Sequence, residues 1–236
     1  MATLLSALET QIRRHVDEAS ASYWSSAEIV DIINLGIKDL YRGVVDLGQS
    51  YFLTNDITNV SQAADATTLT GVPTDVYKIY LIEPRTLTSS GSQGPVYRPL
   101  KYNHPLFSLA RSEDSQDPDT LTVYYDLIGQ GAPIGAPTVQ VAPATSSAVN
   151  LRFVYVPVLA AVASTGNNPI PGESDNALIA WGIAFARAKE REERSPDPEW
   201  LAVYATEKQN LLISLSPRQV QEPQYVEALF QAYWEG

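Results

Sequence analysis

The stretch SYWSSAEIVDIINLGIKDLYRGV, residues 22–44, decides the fold because it contains a helix with a complete start signal. Ser25 and Glu28 form the S-x-x-E pattern of a capping box, in which each side chain bonds a backbone N–H of the first turn. Trp24 precedes the cap and Ile29 lies four positions after it, which is the spacing of a hydrophobic staple. These four residues predict a helix that begins directly after Ser25.

The apolar residues that follow recur every three or four positions, as in an amphipathic helix. Asp31, Lys38, Asp39 and Arg42 fall largely on the opposite side, and Gly48 suits the left-handed position that often ends a helix. The stretch carries no catalytic motif. It is therefore predicted to be scaffold that packs along one whole face, through Ile29, Ile33, Ile37, Leu40, Val44 and Leu47.

Composition excludes several classes of function. The chain has 236 residues, 44% of them hydrophobic, and can bury one core or two smaller ones. It contains no cysteine, so disulfides, thiol catalysis and zinc–thiolate sites are excluded. The net charge is −11, and no segment of the chain carries an excess of basic residues, which disfavours tight binding of nucleic acid. With neither a signal peptide nor an apolar run long enough to span a membrane, we expect a protein that is cytoplasmic when made.

Residues 2–18 predict a first helix, joined to the second by the short connection ASASYW as an antiparallel hairpin. Leu5, Leu8, Ile12 and Val16 form its apolar stripe, and Glu9, Arg13, Arg14 and Asp17 are placed outside that stripe.

The pattern changes after residue 50, and short alternating runs between turn signals predict strands up to about residue 172. The last run alternates most clearly, with Val149, Leu151, Phe153 and Tyr155 on one face. The segment APATSSA before it is predicted to be a short hairpin connection. The six predicted strands are YFLTNDITNV, VYKIYLIEP, VYRPL, TLTVYYDLIG, TVQVAP and VNLRFVYVPV.

Helical periodicity returns near residue 174, with a stripe of Leu178, Trp181, Phe185 and Ala188. Asp197 and Pro198 then predict the start of a further helix, as a cap and a first-turn proline. The predicted fold class is α+β. A helical bundle forms from an N-terminal pair (residues 1–50) and a C-terminal pair (173–215), with an inserted antiparallel β-rich, sandwich- or barrel-like domain (51–172).

Residues 216–236 form a C-terminal extension, separated from the bundle by Pro217 and Pro223. Its apolar residues fall at helical spacing, and so short an aromatic segment cannot bury itself alone. It must pack on its own bundle or on a partner, through Tyr225, Val226, Leu229, Phe230, Tyr233 and Trp234.

No catalytic, cofactor or metal site is predicted. His15 and His104 stand apart in the sequence, and a structural or solvated role is expected for both. The acidic turn SEDSQDPDT (112–120) lacks the spacing of a calcium loop, which favours a solvated turn over a weak cation site. GQGAPIGAP (129–137) lacks the Lys-Ser/Thr of a phosphate loop. KEREER (189–194) indicates a solvated face with i,i+4 pairs, or salt bridges at a subunit interface.

The order of segments resembles the head-to-tail adaptor (connector) proteins of tailed bacteriophages. The resemblance covers roughly residues 3–215. It is carried, in order, by YWSSAEIVDIINLGIKDLY, VPTDVYKIYLIE, YRPLKYNHPLF, TLTVYYDLIG, PTVQVAPA, LRFVYVPV and NPIPGESDNALIAWGIAFARAKE.

This resemblance implies a structural virion protein at the head–tail junction, made in the host cytoplasm, and not an enzyme. Its implied partners are the portal protein, a tail tube or nozzle protein, and other copies of itself in a ring, commonly a dodecamer. Genomic DNA passes through the ring without specific binding. The candidates for contact with the portal or a neighbouring subunit are then Tyr225, Val226, Leu229, Phe230, Tyr233 and Trp234.

Two other functions fit the residues. The chain could be another tail-completion or nozzle-proximal ring protein, which binding to isolated portal would distinguish. A carbohydrate-binding or adhesin module is favoured by the β-rich region and 13 tyrosines. Binding of glycans by isolated residues 50–172 would support that alternative.

Overall fold

A computed structural model describes residues 3–18, 23–47, 50–56, 59–85, 94–114, 116–117, 121–128, 137–170, 172–191 and 195–215. The chain divides into two compact units. A helical unit comprises Met1–Tyr51 and Leu159–Gly236, and a β unit comprises Phe52–Val158. The predicted α+β fold class, with helices at both ends of the chain and a β-rich insert, is confirmed.

Among the described residues, four helices build the helical unit: α1 (Leu5–His15), α2 (Ser26–Asp46), α4 (Asp175–Glu190) and α5 (Pro198–Leu215). A fifth helix, α3 (Pro105–Arg111), belongs to the β unit, and 3₁₀ turns form at Ser50–Phe52 and Gly172–Ser174. Helix α1 is shorter than the predicted span of residues 2–18. Leu4 pairs in an extended bridge with Asn167, and Asp17 has a left-handed φ of 52°, so neither residue continues the helix. Gly48, the predicted helix end, lies outside the described residues.

Helix α4 is the centre of the helical unit and contacts α1, α2 and α5. The prediction of a single apolar stripe on α4 therefore understates how much of this helix is buried, because a helix packed on three sides buries most of its circumference. Small residues allow α4 to pack closely against all three helices. A Cβ added at Gly182 would lie 2.3 Å from Ile12 Cδ1, and one added at Gly36 would lie 2.9 Å from Trp181 Cδ1. The buried residues of α4 are Ala177, Leu178, Ile179, Ala180, Ile183, Ala184, Ala186 and Ala188.

The β unit contains a five-stranded sheet and a three-stranded sheet. In the larger sheet, β8 is central, with β1 and β2 along one edge and β4 along the other. The smaller sheet has the order β5-β6-β7. The strands are β1 (Thr54–Asp56), β2 (Ser61–Gln62), β3 (Leu69–Thr70), β4 (Val76–Pro84), β5 (Val96–Pro99), β6 (Thr122–Ile128), β7 (Thr138–Ala142) and β8 (Val149–Pro157).

Both sheets contribute to one core, which includes Val76, Tyr97, Val123, Val139 and Phe153. Within it, the Tyr97 hydroxyl donates to Gln62 Oε1 over 2.7 Å, so these two buried polar groups satisfy each other. The sandwich-like arrangement of the insert follows from this shared core.

The insert differs from the predictions in several details, and β2 and β3 lie in a stretch where no strand is predicted. The first predicted strand is broken into a 3₁₀ turn and the short β1. Strands β5 and β6 pair in parallel, whereas an antiparallel domain was expected. The segment APATSSA is not a hairpin connection, because β7 and β8 lie in different sheets and the chain crosses between them.

We expect Gly36→Ala to destabilise the protein, because its methyl group would meet the ring of Trp181. That ring cannot easily move, since Trp181 Nε1 donates to the Ile32 carbonyl over 2.9 Å. Gly43→Ala on the same helix is the matched control, since its methyl group would meet only the ends of the Leu212 and Lys208 side chains. Overpacking of this kind costs about 1–3 kcal/mol, so Gly36→Ala should be less stable than Gly43→Ala by that amount in urea denaturation. Equal stabilities would contradict the proposed packing.

Candidate interaction surfaces

The start of α2 has the geometry of a capping box. Ser25 Oγ accepts a hydrogen bond from the Glu28 backbone N–H over 3.2 Å, and the Glu28 carboxylate accepts one from the Ser25 N–H over 3.0 Å. Trp24 and Ile29, the two staple positions, are both buried. The four residues that the sequence singles out thus lie together where α2 enters the helical unit.

Glu28 also joins α2 to α4. Its carboxylate accepts a hydrogen bond from Lys189 Nζ over 2.8 Å, and the same ammonium group lies 4.1 Å from the centre of a Trp24 ring and 5.1 Å from that of Tyr23. The hydrogen bond from Lys189, together with those from Ser25, lowers the pKa of Glu28 to about 2. The charged run that begins at Lys189 therefore contains a contact between helices, while residues 192–194 lie outside the described part of the chain.

A buried cluster of charged side chains joins α1 to the segment that leads into α2. Arg13 of α1 donates to Glu9 over 2.9 Å, to Glu18 over 3.2 Å and to the Trp24 carbonyl over 2.9 Å. Glu18 in turn accepts from the backbone N–H groups of Tyr23 and Trp24. All three charged residues are less than 10% exposed. The cluster joins α1 to the segment that leads into α2, and it depends on Arg13, because removing that cation would leave two buried carboxylates without their partner.

The position of Arg13 and Glu9 corrects the sequence analysis, which places both outside the apolar stripe of α1. Their spacing of four residues is typical of a helical ion pair, so the pair itself could have been predicted. Its burial could not, because it depends on Glu18 and the chain turn that leads into α2. Of the residues predicted to lie outside the stripe, Arg14 and Asp17 are not buried.

Asn34 binds the chain where it returns from the insert. Its Oδ1 accepts from the Val162 N–H over 2.8 Å, and its Nδ2 donates to the Val162 carbonyl over 2.9 Å. Farther along, Asn168 Nδ2 donates to Ser174 and to Asp175, each over 2.9 Å. Asn34 thereby satisfies backbone groups of an irregular segment that would otherwise lack partners, and Asn168 joins the same segment to side chains at the start of α4.

Helix α5 is fixed at its start and along its inner face. Asp197 is buried and accepts from the Glu199 N–H over 3.0 Å, as the predicted cap requires. Asp39 of α2 accepts from Lys208 over 2.6 Å and from the Tyr204 hydroxyl. Partial burial disfavours the charged form of Asp39, but these two bonds lower its pKa overall, while burial raises the pKa of Tyr204.

Each of the two histidines makes a structural contact. His15 is exposed and packs edge-on against the Trp200 ring at 5.6 Å, and His104 caps α3 by accepting from the Leu106 N–H. Among the described residues, no group of three or more His, Asp or Glu could hold a metal ion. Asp119 of the acidic turn and most of the loop 129–137 are not among them. Of the helices that can be described, none is long and apolar enough to cross a membrane.

The candidate partner-interface residues of the C-terminal extension lie outside the described residues. They are Tyr225, Val226, Leu229, Phe230, Tyr233 and Trp234. Their role in binding the portal or a neighbouring subunit therefore stays a prediction.

Arg13→Met should destabilise the protein by about 3–5 kcal/mol, because Glu9 and Glu18 would stay buried without their cation. Arg14→Met is the matched control on the same helix, since Arg14 is exposed and its replacement should change stability by less than about 0.5 kcal/mol. Both variants can be compared by urea denaturation at neutral pH. Similar losses for the two would mean that the buried cluster does not hold α1 to α2.

The stability of the protein should depend on Glu28 at acid pH. The pKa of Glu28 is about 2 in the folded protein against an ordinary value of 4.5, so its stabilising effect is present above pH 4.5 and is lost as the pH falls towards 2. Glu28→Gln should therefore show a flatter dependence of stability on pH in this range. In Lys189→Met, carboxyl titration by NMR should show the pKa of Glu28 rising towards 4.5. An unchanged pKa would contradict the role of Lys189.

Comparison with known proteins gives one family. Residues 3–227 match the family model described as SU10 adaptor protein. The match includes both the helical unit and the β unit, together with the first part of the extension. No curated protein matches the sequence significantly.

Proposed function

The chain belongs to the SU10 adaptor protein family, a family of bacteriophage structural proteins, and from this premise we propose that it forms the head-to-tail adaptor ring. In this role copies of the chain dock beneath the portal, extend the DNA channel and offer a surface to the tail tube or nozzle protein. The observation that carries the proposal is the extent of the family match, which spans residues 3–227 and so both compact units.

The charge of the chain supports a role as a conduit. Each copy carries a net charge of −11, so a ring of twelve copies would carry on the order of −130 formal charges. An acidic wall repels the phosphate backbone and prevents packaged DNA from adhering as it passes. Such repulsion favours passage without specific binding.

The hydrogen bonds within the helical unit support a ring assembled from subunits that are already folded. Asn34 and Asp39 each bond a segment that is distant in the sequence, and Arg13 joins α1 to the connection that leads into α2. A subunit fixed in this way can dock with little ordering of its helices, which lowers the entropic cost of association.

The direct test is the mass of the purified protein, measured by light scattering with and without isolated portal rings. We expect a monomer alone and a defined multiple, commonly twelve, on each portal. Binding as a single copy, or no binding at all, would refute the adaptor ring.

Deleting residues 217–236 should weaken attachment to the portal, because we place partner docking on this extension. The helical signal in circular dichroism should stay largely intact, since α1, α2, α4 and α5 all end before residue 217. A finer test replaces Phe230 and Tyr233 by serine, with Gln231→Ser as the control in the same segment. Attachment that is unchanged in the deletion variant would exclude docking through the extension.

A further inference from the structure

The outer side of α5 is unusual for the surface of an acidic protein. After Glu199, every exposed residue of the helix is uncharged. The two other charged residues, Glu207 and Lys208, are partly covered, and Lys208 is bound to Asp39. The exposed uncharged residues are Ala202, Val203, Ala205, Thr206, Gln209, Asn210, Ile213 and Ser214.

Six of these residues form one continuous stripe, which we call the α5 face: Ala202, Val203, Thr206, Gln209, Asn210 and Ile213. At 3.6 residues per turn they span only about a third of the helix circumference. The stripe carries a large aliphatic side chain near each end. Val203 is 44% exposed and Ile213 is 65% exposed.

The outward side of α2 shows what a solvated helix of this protein looks like. There, Leu35 is 54% exposed but lies among charged residues that are also exposed, such as Asp31, Lys38 and Arg42. This is the usual pattern of a helix that faces water. The exposed side of α1 also carries a cation, Arg14, and α1 itself exposes no large aliphatic residue. The α5 face differs from both.

We propose that the α5 face is a contact surface between neighbouring copies of this chain. The inference rests on the proposed ring and names one of its surfaces. Two copies that each carry −11 repel each other, and the repulsion is smallest where the surfaces that meet carry no charge. A charge-free stripe also loses little on desolvation, whereas a charged one would need a partner for every buried ion.

The size of the α5 face sets the strength of this contact. The α5 face runs from Ala202 to Ile213, which is about 18 Å of helix, and a third of the helix circumference is about 10–12 Å wide, which gives roughly 200 Å². A stable interface buries about 800 Å² on each partner. The α5 face alone is therefore too small to hold free copies together. It becomes effective once a common partner holds the copies side by side, because their effective concentration then rises to about the millimolar range.

Ile213→Glu tests the proposal, with Leu35→Glu as the matched control. Each variant adds one negative charge at an exposed aliphatic residue of the helical unit, so both should keep the circular dichroism and melting of the parent chain. On isolated portal rings, Ile213→Glu should raise the concentration for half-maximal assembly at least tenfold, whereas Leu35→Glu should change it less than twofold. Equal effects of the two variants would overturn the inference.

A photo-crosslinking amino acid at position 213 of the full chain identifies what covers the α5 face. In assembled rings it should yield an adduct of two copies of the chain, and the same group at position 35 should not. An adduct with the portal, or a link within one chain to residues 216–236, would overturn the inference. A ring that forms without the two-copy adduct overturns the α5 contact alone, whereas a failure of the parent chain to assemble refutes the ring and the contact together.

Discussion

Helix α4 has to bury side chains towards three other helices at once, and the helical unit depends on how that requirement is met. Alanine and glycine supply most of the close approaches, because larger residues would separate the helix axes. Gly182 receives Ile12 of α1, and Gly36 of α2 receives Trp181. Both ends of the sequence thereby close around one short segment, so the bundle cannot form until the chain has passed through the whole insert.

Polar groups then determine the relative positions of the helices, which apolar packing alone does not specify. Arg13 fixes the turn between the first two helices, Asn34 receives the returning chain, and Asp39 holds the last helix. The partners of Asn34 and Asp39 are distant in sequence, and Arg13 bonds the segment that leads into α2, so each group helps to specify one arrangement of the helices. In the proposed ring such definition would matter, because a small error in one copy would be repeated in every contact.

Local signals in the sequence predicted much of this architecture. Strand β4 has the predicted bounds, α5 begins at Pro198 after the Asp197 cap, and helices occur at both ends of the chain. What could not be predicted depends on long-range pairing. The parallel contact of β5 with β6 and the crossing between β7 and β8 leave no periodic trace in either strand. The burial of Arg13 likewise depends on Glu18, which lies beyond the helix that carries it.

Of the candidate surfaces, one could be predicted from the sequence and one could not. Trp24, Ser25, Glu28 and Ile29 were found because capping follows rules of spacing. No rule of spacing predicts the α5 face, because an uncharged exposed stripe resembles a buried stripe in sequence. Only the exposure of Val203 and Ile213 separates it from the core side of the helix.

The pairing of β1 with β8 has an evolutionary consequence. Thr54 lies opposite Tyr155, so the first and last strands of the insert are direct neighbours in one sheet. A segment whose two ends meet in this way can be lengthened, shortened or replaced between related viruses while the distance between its attachment points stays the same. Recombination could therefore diversify the insert and leave the helices that flank it unaltered.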